Sequence, residues 1–186
     1  MLNIPNALTL LRLLLIPVFL LASFRGMFLA AFVLFVTAAV TDIFDGLIAR
    51  RLNQRSRLGA ILDPAADKTM MVCGYLYYTL ASNLTVVRIP EWLTFTVFAR
   101  DFLIIVFAYL LYTRVRVKRF PPSVAGKTST VLQAATLGAV IAVNAFAPGF
   151  VWFAELMFRI ALLITLFSGT DYIRRAKRML LESAAA

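Results

Sequence analysis

Apolar residues run in blocks long enough to cross a bilayer, and polar residues gather in the gaps between them. Six blocks stand out, at 7–24, 27–48, 60–80, 92–112, 124–146 and 150–173. A helix rises 1.5 Å per residue, so ~20 residues cross a hydrocarbon core of ~30 Å. Each block therefore predicts one membrane-spanning helix. The short gaps at Arg25-Gly26 and Ala147-Pro148-Gly149 predict tight turns between neighbouring helices. The opening, Asn3-Ile-Pro-Asn-Ala-Leu-Thr9, predicts a capped entry into the first span. The expectation is one all-α, polytopic membrane domain over residues 1–186, with six transmembrane helices.

Composition strengthens this reading. The chain is 62% hydrophobic with a mean hydropathy of +0.87, where a soluble domain is nearer half apolar. Its charge of +10 comes from 19 Lys and Arg against 9 Asp and Glu. That surplus would suit nucleic acid in a soluble protein, but here it lies between the apolar blocks. Arg50, Arg51, Arg55 and Arg57 follow the second span, Arg114, Arg116, Lys118 and Arg119 the fourth, and Arg174, Arg175, Lys177 and Arg178 the sixth. The other side carries Arg25 and Arg88. The positive-inside bias then puts both termini in the cytoplasm and Trp92 and Trp152 near the opposite interface. No cleavable signal peptide is expected at the start. Nucleic acid is not an expected partner; the lipid bilayer is.

The chain has no histidine and one cysteine, Cys73. A Ser-His or Cys-His nucleophile, a histidine-based zinc site and an internal disulfide are excluded. A metal here needs mainly oxygen ligands, which favours Mg²⁺, Mn²⁺ or Ca²⁺.

An ionised side chain in a helix core costs at least ~2.5–3.5 kcal/mol on insertion scales. Four carboxylates nevertheless sit at the ends of two adjacent spans. Asp42 and Asp45 share a helix face at i, i+3, and Asp63 and Asp67 share another at i, i+4. If the two helices are neighbours, four anions converge, and two divalent cations would offset their repulsion. The plainer alternative has them cap helices or pair with Arg50, Arg51 and Lys68. Gly46, Ala49, Gly59 and Ala60 leave room for a ligand or for tight helix packing. Arg50 suits a phosphate as a planar donor, or simply marks topology.

Together these residues read D-x2-D-G-x2-A-R-x8-G-x3-D-x3-D, as Asp42, Asp45, Gly46, Ala49, Arg50, Gly59, Asp63 and Asp67. The pattern resembles the signature of the CDP-alcohol phosphotransferase family at every position, and the six-span plan and the opening through Arg12 extend the likeness over most of the chain. The resemblance implies two divalent cations, Mg²⁺ or Mn²⁺, on Asp42, Asp45, Asp63 and Asp67, with Asp67 also the general base. It implies that Gly46, Ala49, Arg50 and Gly59 bind the CDP-lipid, CDP-diacylglycerol. An alcohol attacks the phosphorus bearing diacylglycerol, and CMP leaves. It further implies a homodimer with its site at the cytoplasmic ends of the second and third helices, in a bacterial inner membrane.

The acceptor is read from later residues. Arg100, Asp101, Arg114, Arg116 and Lys127 are the candidates. Arg100 lies within a span and needs a partner, such as Asp101 or a substrate phosphate. The segment from Pro122 to Thr130, with Gln133 beyond, is similar to the S-x2-G-K-x2-T region of the family's phosphatidylglycerophosphate synthases, although these cations also suit anchoring to headgroups. Glycerol 3-phosphate is the first expectation. Phosphatidylglycerol, giving cardiolipin, is the rival, because Arg100-Asp101 is similar to the Arg-Asp pair of family-type cardiolipin synthases where phosphatidylglycerophosphate synthases more usually have Arg-Glu. Serine and inositol phosphate are further candidates. A small transporter is the alternative of another class, but the carboxylates cluster at one face and no inverted repeat is visible. A structural role for the metals is a third.

Overall fold

The computed structural model of the chain describes residues 4–51, 59–81, 86–115 and 123–184, with the side chains of 4–8, 43–51, 59–64, 112, 114–115 and 180–184 outside the description. Every long element among the described residues is helical. The helices are α1 (Ile4–Phe24), α2 (Phe28–Arg51), α3 (Gly59–Leu80), α4 (Glu91–Val115), α5 (Val124–Phe146) and α6 (Val151–Ala184), with a 3-10 turn over Pro148–Phe150 before α6. They fall on the six apolar blocks.

Three bounds differ from expectation. The first helix opens at Ile4, so Pro5 and Asn6 lie in its first turn. Proline is tolerated there because those N–H groups have no intrahelical partner anyway. At their C-termini α4 and α6 outrun their apolar blocks. Hydropathy falls where charges begin, but Arg, Lys, Leu, Met and Ala are good helix formers and carry the coil onward.

Three of the helices are long and apolar enough to cross a membrane, over Glu91–Leu111, Val124–Phe146 and Pro148–Met179, and Thr9–Phe24 and Phe28–Asp42 are shorter apolar helices. This is a helical membrane protein.

The chain divides into two compact units. The first holds residues 1–88 and 137–151, and the second 89–136 and 152–186.

In the first unit α1 packs on α2 and α3. The turn after α1 is closed by Gly26 at φ 71°, with Gly26 N–H donating to Ser23 O (3.0 Å) and Met27 N–H to Ala22 O (2.9 Å). This is a Schellman cap, and its left-handed residue favours glycine. The turn sends α2 back along α1. In contrast α3 runs parallel to α1, because Arg12–Asp67 and Ser23–Tyr78 keep the same separation of 55 residues. Small buried residues, Ala22, Ala31, Ala38 and Ala66, let the three backbones approach. Outer positions are large and apolar, such as Leu14, Leu21, Leu29 and Val33. A lipid-facing surface carries this pattern, with polar groups turned inward. From the end of α5, Asn144 braces the segment before α4: its amide donates to Val87 O (2.9 Å), and its oxygen accepts from the N–H groups of Val86 and Val87.

In the second unit the buried face of α6 is Ala154, Phe158, Ala161, Thr165, Ser168, Tyr172 and Ala176. Their spacing of three and four residues makes one stripe. Its partner on α5 is polar. Gln133 donates to Ser129 Oγ (3.1 Å) and to Thr165 Oγ1 (3.2 Å), and the Ser129 and Thr165 hydroxyls lie 3.3 Å apart. Hydrogen bonds replace hydrophobic burial as the contact between helices that share an apolar solvent.

Candidate functional site

Arg12 is the only charged residue of α1, and it is buried with 1% of its side chain exposed. A guanidinium in an apolar helix must find anions or carbonyls. Its Nη1 donates to Asp67 Oδ1 at 2.6 Å and lies 2.8 Å from Asp42 Oδ1. The level is the same on all three helices. Arg12 and Asp67 each lie roughly two turns, or about 12 Å, from the starts of α1 and α3, and Asp42 lies roughly two and a half turns before the end of α2. Antiparallel and parallel packing against one central helix thus bring residues of distant sequence to one point.

The two carboxylates differ from the arginine in access. Asp42 and Asp67 are 45% and 46% exposed. Both use one oxygen on the same nitrogen, so those two oxygens lie no further apart than the sum of the two contacts. Oxygen ligands sit ~2.0–2.6 Å from Mg²⁺ or Ca²⁺. The pair therefore fits a divalent cation by donor type and access. Asp45 lies on the helical backbone of α2 with Gly46, Ala49 and Arg50, and Gly59 and Asp63 lie on α3. The side chains of Asp45, Ala49, Arg50 and Asp63, and the surroundings of the two glycines, are outside the description. Among the described residues no group of three or more potential ligands forms a cation site.

Arg50, Arg51 and Lys68 are the partners that the sequence offers the aspartates. The described pair meets Arg12, and the side chains of Arg50 and Arg51 lie outside the description. The signal was present, as a lone cation inside Leu10-Leu-Arg-Leu-Leu14, but its partners are distant in the chain.

In the second unit Arg100 on α4 is also buried. Its Nη1 donates to Asp101 Oδ1 (2.9 Å), its Nη2 to Gly126 O (3.3 Å) and Ser168 Oγ (2.7 Å), and its Nε to Ser168 Oγ (3.3 Å). The guanidinium carbon lies 5.5 Å from the centre of the Tyr172 ring. So the partner expected for Arg100 is Asp101, joined by groups from α5 and α6. Gly126 is needed because a Cβ there would stand 2.6 Å from the Tyr172 hydroxyl. Ser123 caps α5, its Oγ accepting from Gly126 N–H (2.9 Å), while its own N–H donates to the Tyr172 hydroxyl (3.3 Å). Next to this cluster, Lys127 stands exposed in the first turn of α5. Arg114 lies on α4 with its side chain outside the description, and Arg116 is outside the described residues.

Comparison with known proteins bears on what this arrangement serves. The family model described as CDP-alcohol phosphatidyltransferase matches residues 2–167. An Aquifex aeolicus protein named CDP-diacylglycerol--glycerol-3-phosphate 3-phosphatidyltransferase is 33% identical, over 97% of this chain and 99% of its own length. The Escherichia coli K12 protein of the same name is 35% identical, over 97% and 98%. A Mycobacterium tuberculosis protein named "Probable phosphatidylglycerophosphate synthase" is 35% identical, over 95% and 82%.

Proposed function

This chain belongs to the CDP-alcohol phosphatidyltransferase family, and from that premise we propose that it transfers a phosphatidyl group from CDP-diacylglycerol to glycerol 3-phosphate, giving phosphatidylglycerophosphate and CMP. It is a transferase of phospholipid biosynthesis. The observation that carries the reading is the meeting of Asp42 and Asp67, from two different helices, at one point inside the motif region. The names of the relatives support glycerol 3-phosphate over phosphatidylglycerol.

Asp42, Asp45, Asp63 and Asp67 are the groups that would hold two divalent cations, Mg²⁺ or Mn²⁺, whose chemistry is to neutralise the diphosphate and the leaving phosphate. Gly46, Ala49, Arg50 and Gly59 receive the CDP moiety. Asp67 accepts the proton of the acceptor hydroxyl. That oxygen bonds to the phosphorus bearing diacylglycerol, the phosphorus–oxygen bond to CMP breaks, and CMP departs with the electron pair. Lys127 meets the acceptor phosphate, with Arg114 and Arg116 as further cations, and Arg100 with Asp101 holds the start of α5 in place. Six spans, both termini in the cytoplasm of a bacterial cell and a cytoplasm-facing site complete the reading, supported by the placement of Lys and Arg. A homodimer rests on the family resemblance alone.

The test supplies purified protein with CDP-diacylglycerol and Mg²⁺ or Mn²⁺ and follows CMP release with each alcohol. Glycerol 3-phosphate is expected to support turnover, and phosphatidylglycerol is not. Release with phosphatidylglycerol alone would move the assignment to cardiolipin synthesis, the outcome to which the Arg100-Asp101 pair points. No release with any alcohol, from folded protein, would remove the transferase reading. Asp63→Asn is expected to abolish turnover by removing a metal ligand.

A further inference from the structure

We propose that Arg12 is a positioning residue for the aspartate site: its buried guanidinium fixes Asp42 of α2 and Asp67 of α3 at the separation set by one shared donor, and so sets both cation affinity and the aim of Asp67. The inference rests on the metal-dependent reading given above. It concerns a residue of α1 that contributes neither a metal ligand nor a base to that reading.

Three features carry it. The first is burial. Arg12 is 1% exposed beneath carboxylates that are 45% and 46% exposed. The cation therefore approaches the pair from the protein side, and substrate approaches from the open side. The second is sharing. A single Nη1 contacts Oδ1 of both aspartates, at 2.6 and 2.8 Å, so neither carboxylate can swing without losing a charge-assisted bond. Each keeps a second oxygen outside this contact. The third is anchoring. Arg12 lies on the helix that packs against both acidic helices, between buried Thr9 and Ile16. Two anions held this close repel. Without the shared donor the pair splays. Groups that orient metal ligands typically change metal affinity or activity by 10–100-fold when removed.

The experiment compares Arg12→Lys and Arg12→Met with the parent protein in detergent or nanodiscs. Mn²⁺ binding is read without substrate, from the loss of the free-ion electron paramagnetic resonance signal. Thermal unfolding, kcat and the KM of each substrate are read in parallel. Arg12→Met is expected to weaken Mn²⁺ binding about tenfold or more. Arg12→Lys keeps a charge but has a shorter reach and a different donor geometry. It is expected to recover most of the Mn²⁺ affinity while kcat stays about tenfold or more below the parent, with both KM values within threefold. Parent-like Mn²⁺ affinity and kcat in Arg12→Met would overturn the proposal, as would full recovery of kcat in Arg12→Lys, which would leave only charge balance. If both variants fail to fold even with Mn²⁺ present, Arg12 is a folding residue and the positioning role is lost. Mn²⁺ binding needs no turnover, so a parent that binds Mn²⁺ but releases no CMP loses the proposed reaction and keeps this inference, whereas a parent that binds no Mn²⁺ loses both.

Discussion

Two buried arginines, one in each compact unit, solve the same physical problem in opposite ways. Arg12 sits under carboxylates that are nearly half exposed and come from two other helices. Arg100 is paired with its chain neighbour Asp101, 12% exposed, and is enclosed by a serine hydroxyl, a backbone carbonyl and a tyrosine face. A cation that hands its partners toward the open side supports chemistry. A cation whose partners are as buried as itself is a brace. Removal of charge should therefore cost activity around Arg12 and stability around Arg100.

The sharpest way to break this contrast is Asp67→Asn. The amide oxygen still accepts from Arg12, but it takes no proton from the acceptor and binds a cation weakly. Turnover should fall on the order of 10³-fold with little change in the unfolding temperature. A large loss of stability with modest loss of rate would make Asp67 a brace after all. The reciprocal change is Arg100→Met. It takes the cation out of a buried ion pair and should destabilise the fold by about 3–5 kcal/mol, read from thermal or denaturant unfolding. An unchanged unfolding temperature would refute the brace. Ser168→Ala removes one acceptor from the same guanidinium and should cost about 1–3 kcal/mol, which grades the cluster by the number of bonds lost. The smallest effect belongs to the exposed cation beside it. Lys127→Ala should raise the KM for glycerol 3-phosphate about tenfold, roughly 1.4 kcal/mol of binding, and leave that for CDP-diacylglycerol within a factor of two. An unchanged acceptor KM would remove Lys127 from the site.

The plan of the fold was legible because span length and turn residues are local signals. The blocks at 7–24 and 124–146 became α1 and α5, and Arg25-Gly26 became a left-handed cap. The far ends of α4 and α6 were not legible, since hydropathy says nothing of a polar helix that continues. Within the site, the spacings of Asp42 with Asp45 and of Asp63 with Asp67 gave shared helix faces, but the meeting of Asp42 and Asp67 through Arg12 depends on a contact across 55 residues that no local pattern encodes. Asp101 was foreseeable as a partner of Arg100 because it is adjacent. Ser168 and Tyr172 were not, because they lie far along the chain from Arg100, Ser168 by 68 residues. The surroundings of Gly46, Ala49, Gly59 and Ala60 lie outside the description. Close approaches among the described glycines are at Gly74, against Leu137, at Gly126, against Tyr172, and at Gly138, against Phe35.

The two-residue turn at Gly26 also governs how the chain is made. α1 and α2 leave the ribosome almost together and can enter lipid as one hairpin. The pair that stands 2.8 Å apart in the fold, Arg12 and Asp42, lies wholly within that hairpin. A lone arginine or aspartate entering a bilayer centre costs ~2.5–3.5 kcal/mol each, but an ion pair enters with much of its charge cancelled. The contact that organises the site can thus act as a counterion during insertion, since it needs only the two helices that the turn joins.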